Sequence, residues 1–350
     1  MTAPPRTPDV VVVGGGPAGA AVAWQLATAG AAVTLVHDHR DRWRPVGQQL
    51  AGAARPVLRA MGVLDAVVAE SAPVHEARSA WPGPEVDSRS AILNPFGPPL
   101  AVERSRLDAL LRAAAGGAGA RLVRDHVRNP ADGQRAAVLV DATGSSRVLS
   151  RTRLRWTCLD RLRCALWKAA PADPAPQPWS LVEAAPDGWW YTAPDPAGDR
   201  LTVMKVGDLP GAEDRREPPE HTARRLGRRV LPATADYRVA TVGYANPPWS
   251  SRLVAVGDAA VAVDPLSSSG VRNALRLAGP AAAAVLGLLD GDTGPAHQYA
   301  RCVRAIVDEH LDQRGHFVML TGGHGPFWEK RRRPAVRSGV DRPASGRVDH

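Results

Sequence analysis

A glycine-rich turn that joins an apolar run to a small-residue segment is the clearest chemical feature of this sequence. Val10–Gly19 reads VVVVGGGPAG, so residues typical of a strand lead into glycines, and Pro17 suits the first turn of a helix. In the GxGxxG pattern, Gly14 permits a sharp turn, Gly16 leaves room for a pyrophosphate, and Gly19 lets helix and strand pack closely. The free amides of the helix start would then face phosphate oxygens.

The neighbouring sequence supplies the rest of a dinucleotide-binding unit. A helix of about 13 residues is expected after the turn, and 32–36 reads as a second strand. An ordinary βαβ turn would also need glycine, but it would not need the complete pattern between a strand and a helix. The sequence therefore predicts a βαβ unit that binds a dinucleotide.

Composition excludes several other classes of protein. The chain has 350 residues and a net charge of +9, of which +5 arises from residue 330 onward, where seven Lys or Arg face two Asp. The run Lys330–Arg333 is therefore interpreted as a solvated end, because no nucleic-acid-binding motif accompanies it. Cys158, Cys164 and Cys302 lack zinc spacing and suit a reducing compartment, so no metal is predicted. No apolar run approaches the roughly 18 residues of a membrane span, and a cytoplasmic protein is expected.

The middle of the chain has a different pattern from the dinucleotide unit. Residues 71–100 contain six prolines between short apolar pieces, and 151–248 alternates strand-like segments with proline-rich breaks. This pattern predicts an antiparallel sheet inserted into the first fold. Helices are predicted at 102–115 and at 213–230, the latter with its arginines in water. His75, His126 and Glu183 lie in plausible segments but have no visible partner, so no catalytic acid or base is assigned.

Three further motifs, in a fixed order along the chain, point to a family. VERSRLDALL at 102–111, VDATG at 140–144 and LVAVGDAAVAVDPLSSSG at 253–270 follow the glycine-rich turn. Together they resemble the p-hydroxybenzoate hydroxylase superfamily of FAD proteins, and the resemblance spans nearly the whole chain. It implies an α/β fold: a Rossmann-like FAD-binding domain of the glutathione-reductase type 2, with an inserted, mainly antiparallel β-sheet for the substrate.

The resemblance also divides the chain. The discontinuous FAD-binding domain is expected at 9–70, 94–150 and 250–330, the substrate-binding sheet at 71–93 and 151–249, and flexible tails at 1–8 and 331–350.

The same resemblance assigns cofactor-binding roles. Arg104 would contact the cofactor, the Val127 backbone would meet the adenine, and Asp258 would hold the ribityl chain, although a helix cap is the alternative for Asp258. A helix that begins near 268–270 would aim its positive end at the flavin pyrimidine. The predicted cofactor-binding residues are Gly14, Gly16, Pro17, Ala18, Gly19, His37, Asp38, Arg104, Val127, Gly144, Asp258, Pro265, Ser269, Gly270 and Val271.

Three segments narrow the branch. DPLSSSG, DGWWYTAP at 187–194 and GPFWEKR at 325–331 are similar to the tryptophan-halogenase branch. They are more similar still to its non-halogenating relatives, which hydroxylate tryptophan during maturation of quinone-cofactor oxidases. The candidates for the substrate pocket are Trp189, Trp190, Tyr191, Pro265 and Ser268, although a Trp pair on a strand is core packing at least as often.

The chain also departs from the family pattern. The acid expected to bind the adenosine ribose at the end of the second strand is replaced by His37, with Asp38 next to it, so either side chain is a candidate and a surface loop is the alternative. Halogenases carry GWxWxIP, where this chain has Tyr191 and Ala193. They also need a lysine beyond the second strand, and the only lysines here are Lys168, Lys205 and Lys330.

The resemblance therefore implies an FAD-dependent monooxygenase. It would hydroxylate an aromatic substrate, an indole or a free or peptide-bound tryptophan, through a flavin C4a-hydroperoxide, with noncovalent FAD. A halogenase, an FAD-dependent reductase or desaturase of an apolar substrate, and a maturation partner that uses FAD only structurally are the alternatives. With one GxGxxG in the chain, NAD(P)H would visit transiently or a separate flavin reductase would supply electrons.

Overall fold

The computed structural model describes residues 9–38, 47–83, 85–127, 136–173, 175, 177–208, 217–228, 231–232 and 234–332. These residues form two large sheets, one small sheet and a set of helices that pack mainly on the first sheet. The mixed α/β architecture confirms the predicted fold class. The predicted tail at 1–8, and 333–350 of the predicted C-terminal tail, lie outside the described residues.

The strands of the described chain are β1 Val10–Val13, β2 Val33–His37, β3 Gly47–Leu50, β4 Ala72–Pro73, β5 Glu76–Ala80, β6 Val86–Ser90, β7 Leu100–Glu103, β8 Arg121–Arg124, β9 Val138–Asp141, β10 Trp156–Ala169, β11 Trp179–Ala185, β12 Gly188–Pro194, β13 Leu201–Asp208, β14 Asp236–Ala245, β15 Trp249–Ser250, β16 Leu253–Ala255 and β17 Val261–Ala262. The helices are α1 Pro17–Thr28, α2 Arg55–Ala60, α3 Leu64–Ala69, α4 Arg104–Gly117, α5 Glu220–Arg225, α6 Gly270–Arg276, α7 Ala278–Leu289, α8 Gly294–Leu320 and α9 Pro326–Arg332.

The first sheet has the strand order β15-β16-β9-β1-β2-β8 and is parallel except at β15. All four valines of β1 are buried, because Val10 and Val12 pack with α1 and α7 on one face of the sheet, and Val11 and Val13 pack in a second cluster on the other face. A parallel strand buried on both faces reads as a continuous apolar run, which is the pattern of VVVV. Because these strands are parallel, their carboxyl ends lie together at one end of the sheet. The glycine-rich turn follows β1 at this end, beside the ends of β2, β8 and β9.

Glycine is required where α1 crosses this sheet. Gly14 has φ +113°, and a Cβ there would overlap the carbonyl oxygen of Ala142. A Cβ at Gly19 would overlap the Gly14 carbonyl oxygen and lie 2.8 Å from the Ala142 Cβ. These contacts agree with the roles that the sequence assigns to both glycines.

The second sheet has the order β17-β14-β10-β13-β12-β11-β5-β6 and is antiparallel except where β11 pairs with β5. Side chains alternate between its faces. On β12, Trp189 and Tyr191 pack in one core cluster with Leu266, whereas Trp190 packs in another cluster on the opposite face. The third sheet, β3-β7-β4, lies between the two large ones and contacts β12 and β13 through β3.

Three sequence predictions need correction. Residues 102–103 belong to β7, and the helix predicted at 102–115 begins only at Arg104. Within the described part of 213–230, the helix is limited to α5, and its Arg225 is buried rather than solvated. Arg331, predicted to lie in a flexible, solvated tail, is in α9 and is buried.

In the described chain, no helix is long and apolar enough to cross a membrane.

We expect Gly19→Ala to lower the free energy of unfolding by about 1 to 3 kcal/mol, because the added methyl overlaps backbone that cannot move without separating α1 from β1. Urea denaturation measures this difference. Gly279→Ala is the matched control, since Gly279 also lies in a helix but has open space at its Cβ position. Equal stability of the two variants would contradict the packing role.

Candidate functional site

The start of α1 presents unpaired backbone amides on an open surface. Gly16 is the N-cap, no side chain caps it, and the first turn contains no acidic residue. The Ala20 amide donates to the Gly16 carbonyl over 2.9 Å and is the first amide of the helical ladder, so the amides before it remain for a ligand. A Cβ at Gly16 would have only the Arg104 Nη2 near it, at 3.5 Å. This geometry fits a pyrophosphate.

Gly15 has a role that the sequence reasoning missed. A Cβ at Gly15 would lie 2.5 Å from the His37 Cβ and 2.8 Å from the Arg112 Cδ. Arg112 Nη1 also donates to the Gly15 carbonyl oxygen over 3.1 Å. The middle glycine of GGG is therefore required by the side chains behind the turn, and Arg112 on α4 helps to hold that turn.

Arg104 lies at the start of α4, beside the glycine turn. Its Nε donates to Asp108 Oδ1 over 2.7 Å, and its Nη1 donates to Gln48 Oε1 over 3.1 Å. The ion pair with Asp108, one helical turn along, orients the guanidinium toward Gly16. The structure thus brings the arginine of the second motif to the glycines of the first.

Asp258 joins the same cluster from the far end of the sequence. Gly257 has φ +59°, and a Cβ there would lie 2.7 Å from the Ala18 Cβ, so the turn at 257–259 lies against the first turn of α1. Asp258 is exposed to solvent beside that turn. The surrounding protein raises the pKa of its carboxyl by desolvation, and the positive charge of Arg104 opposes that shift.

The VDATG turn is held by a buried carboxylate. Asp141 accepts hydrogen bonds from Thr143 through one oxygen, and from the amides of Leu149 and Ser150 through the other. Gly144, with φ +65°, begins a short 3-10 turn that contacts the turn at 257–259. Asp141 therefore shapes the loop that brings Gly144 to the site.

The DPLSSSG segment forms a tight turn before α6. The Asp264 side chain accepts from the Leu266 amide over 3.0 Å, and Ser268 adopts the left-handed region with φ +48°. Ser269 is the N-cap of α6, where the sequence predicted a helix start. Burial raises the pKa of Asp264 to about 6.

The predicted ribose-binding residues lie where β2 and β8 end. His37 is buried at the end of β2, and burial, followed by the charge of Arg112, lowers its pKa. Its imidazole is therefore neutral at pH 7. The Asp38 Oδ2 lies 2.7 Å from the Nδ1 of His126, next to the buried Val127. Both candidates are thus placed on the edge where the adenosine is expected.

The aromatic segment on β12 divides between two surroundings. Trp189 and Tyr191 share a core cluster with Leu266, and the Tyr191 hydroxyl donates to Gln49 Oε1 over 2.8 Å. Trp190 instead stacks on Trp167 on the far face, with 5.9 Å between ring centroids. Trp190 therefore does not line the space beside the DPLSSSG turn with its two neighbours, and its place as a pocket candidate is corrected.

Glu183 has a structural partner that the sequence could not reveal. Its carboxylate accepts from the amides of His221 and Thr222 at the start of α5, over 2.9 and 2.6 Å. It therefore caps a helix on the far face of the second sheet.

Comparisons with known proteins agree with this geometry. Residues 7–151 match the family model described as an FAD binding domain. The flavin-dependent brominase Bmp2 has a similar structure, at 18% identity over 93% of this chain and 90% of its own, with a TM-score of 0.77. The peptidyl tryptophan dihydroxylase QhpG, described as essential for tryptophylquinone cofactor biogenesis, is 26% identical over 95% of this chain and 80% of its own, with a TM-score of 0.74. The search of curated proteins gives no match.

A third similar structure is the thermophilic tryptophan halogenase from Streptomycin violaceusniger, 15% identical over 94% of this chain and 84% of its own, with a TM-score of 0.76. These structures share the fold of this chain, and the domain match agrees with the predicted resemblance to FAD proteins. Residues 7–151 match an FAD-binding domain, and the glycine turn and Arg104 lie within the matched range.

We expect Asp258→Ala and Arg104→Ala each to weaken FAD binding by about 1 to 3 kcal/mol, because each removes a polar group beside the glycine turn. Fluorescence titration of the apoprotein with FAD measures the dissociation constant. Arg106→Ala is the matched control, since Arg106 lies on the same helix but pairs with Glu70 at the surface. Unchanged affinity in both site variants would show that the motifs are assigned wrongly.

We expect His37→Ala and Asp38→Ala to differ in their effect on FAD affinity, since one side chain occupies the ribose position. The same titration, repeated with FMN, which lacks the adenosine, locates the effect: the affected variant should lose affinity for FAD only. Asp87→Ala, at an exposed site on β6, is the control. If neither variant changes the affinity, the ribose must be bound by other groups.

Proposed function

We propose that this chain is an FAD-dependent monooxygenase that hydroxylates an aromatic substrate, an indole or a peptide-bound tryptophan. The observation that carries the proposal is the aromatic face of β12, where Trp189 and Tyr191 pack with Leu266 of the DPLSSSG turn. A planar, electron-rich ring placed against that face would lie beside the flavin that the turn is expected to support. The likeness to a peptidyl tryptophan dihydroxylase supports the substrate class.

The residues of the chain would act by placing the substrate and excluding water. Bound FAD would supply oxygen activation. The Tyr191 hydroxyl is fixed by Gln49, and burial raises the pKa of the phenol above its usual range, so it remains a protonated donor. An apolar wall with one fixed polar group can orient an aromatic ring and keep the site dry.

Halogenation is the second candidate, because a brominase and a tryptophan halogenase have similar folds. All three lysines carry ion pairs on or near the second sheet: Lys168 with Asp195, Lys205 with Asp187 and Lys330 with Asp208. None of them lies in the first part of the chain, where the resemblance places the lysine that handles hypohalous acid. This distribution favours hydroxylation.

Oxygen consumption distinguishes the remaining alternatives. A monooxygenase consumes O2 in step with its substrate, whereas a reductase works without O2. A maturation partner in which FAD is only structural turns over neither. The single GxGxxG motif leaves NAD(P)H to visit transiently or a separate flavin reductase to deliver electrons. Oxygen uptake that matches product formation would support the monooxygenase.

We expect the protein, given FAD, a flavin reductase, NADH and O2, to add oxygen but no halogen to free or peptide-bound tryptophan in the presence of chloride and bromide. Mass spectrometry with ¹⁸O2 measures incorporation. Tyr191→Phe should lower turnover about tenfold, because it removes the one polar group fixed in the apolar wall, whereas Tyr237→Phe, on β14 beside a different cluster, should not. A halogenated product would overturn the lysine argument, and turnover without O2 would favour the reductase.

A further inference from the structure

A cavity of about 520 Å³ lies on the second sheet, away from the flavin-site residues. Strands β5, β6 and β11 form its floor, and α5 with the segment before β11 forms its side. Its polar lining includes Glu76, Arg78, Trp179, His221, Arg224 and Arg225. On β12, Thr192 shares this face, because it pairs with Leu181 of the lining, whereas Tyr191 points to the opposite face. The cavity is therefore separated from the proposed substrate site by the thickness of the sheet.

Arg225 is a buried cation in the wall of this cavity, with only 5% of its surface exposed. Its Nε donates to Gln177 Oε1, its Nη1 to the carbonyl and hydroxyl oxygens of Thr192, and its Nη2 to the Trp179 carbonyl. All four acceptors are neutral. A guanidinium has five N–H groups, so among the described residues one donor on Nη2 is left for a ligand.

Burial lowers the pKa of Arg225 to about 9, and the nearby charge of Arg78 acts in the same direction. The guanidinium is still charged at pH 7. Within the described chain it forms no ion pair with a carboxylate. A buried charge without a partner is costly, and a bound anion would offset that cost.

The carboxylates in and near the cavity pair with groups other than Arg225. Glu76 receives two hydrogen bonds from Arg78 and one from Ser88. Glu220 pairs with Arg224 and Arg228 at the surface. Asp173 lines the cavity and accepts from the Ala175 amide, as an Asp at a turn does.

The aromatic ring of Trp179 holds two of the arginines of the site in place. The Arg225 Cζ lies 3.5 Å and the Arg78 Cζ 4.2 Å from the centre of the Trp179 ring. These cation–π contacts fix both guanidinium planes, so they are held in place before a ligand arrives.

We propose that this cavity binds a carboxylate group that pairs with Arg225. The lining carries three arginines against Glu76 and Asp173, a net charge of +1 before His221 is counted. This balance suits a singly charged anion better than a doubly charged phosphate. The proposal does not depend on the proposed hydroxylation.

The carboxylate could come from a small acid or from an acidic side chain of an extended peptide, and the geometry allows both. β6 is an edge strand, and all of its residues are exposed. Val86 and Ser88 point into the cavity, so alternate residues of a peptide strand added beside β6 would point the same way. Ile92 and Leu93 follow β6 and are 86% and 88% exposed, which gives an apolar contact for such a peptide.

Calorimetric titration of the FAD-loaded protein tests the proposal at constant ionic strength. The probes are sodium acetate, sodium benzoate, an acetylated and amidated Val-Glu-Val-Glu-Val peptide, and its Gln counterpart. At least one carboxylate probe should bind saturably, and the Gln peptide should bind at least tenfold more weakly than the Glu peptide if the source is a peptide. Binding of acetate or benzoate alone identifies a small acid as the source.

Two variants locate the binding. Val86→Trp fills the cavity mouth without removing a hydrogen bond and should weaken binding at least tenfold, as should Arg225→Gln. Val239→Trp, at an exposed site on β14 of the same sheet, is the matched control and should bind as the wild type does. If Arg225→Gln does not fold, Val86→Trp still shows whether the carboxylate binds in this cavity. No saturable binding of any carboxylate, or equal binding by Val86→Trp and the wild type, would overturn the proposal.

Discussion

The close approach of α1 to the glycine turn is the constraint on which the site depends. Gly19 lies against the Gly14 carbonyl, and Gly14 lies against Ala142, so a single methyl at either glycine would separate the helix from the sheet. Because α1 is held there, its first turn also meets the turn at 257–259, which brings Asp258 beside it. The glycines that lack a side chain therefore have two effects. They let α1 pack closely on the sheet, and they bring the polar groups of the site together.

The short strand β3 couples the cofactor cluster to the second sheet. Successive side chains of a strand point to opposite faces. Gln48 accepts from Arg104 of the cofactor cluster, and its neighbour Gln49 accepts from Tyr191 of the aromatic face. Two adjacent amides thus tie the phosphate end of the site to the proposed substrate wall. A change in the position of one would be transmitted to the other through only one peptide unit.

Sequence reasoning predicted those parts of the site that local backbone chemistry determines. The turn at Gly14 followed from residue types at fixed spacing, whereas the helix start near Ser269 and the fold class followed from the resemblance to a known family. Partners distant in sequence were beyond it: the 213–230 arginines were expected in water, but Arg225 is buried against Thr192, 33 residues away. The roles of Gln48 and Gln49 could not be predicted either, because their partners Arg104 and Tyr191 are distant in sequence.

The C-terminal segment shows how such a distant pair shapes the site. Arg331 donates to both oxygens of Asp160, 171 residues earlier, and also to Asp208, and its side chain is 3% exposed. A buried ion pair adds little net stability, and each partner here has a second one, because Arg314 also lies 3.4 Å from Asp160 and Arg331 also pairs with Asp208. Its consequence is positional: it fixes α9, whose Phe327 and Trp328 pack in the cluster of Trp189. The aromatic face is therefore completed by residues that an arginine of the predicted tail holds in place.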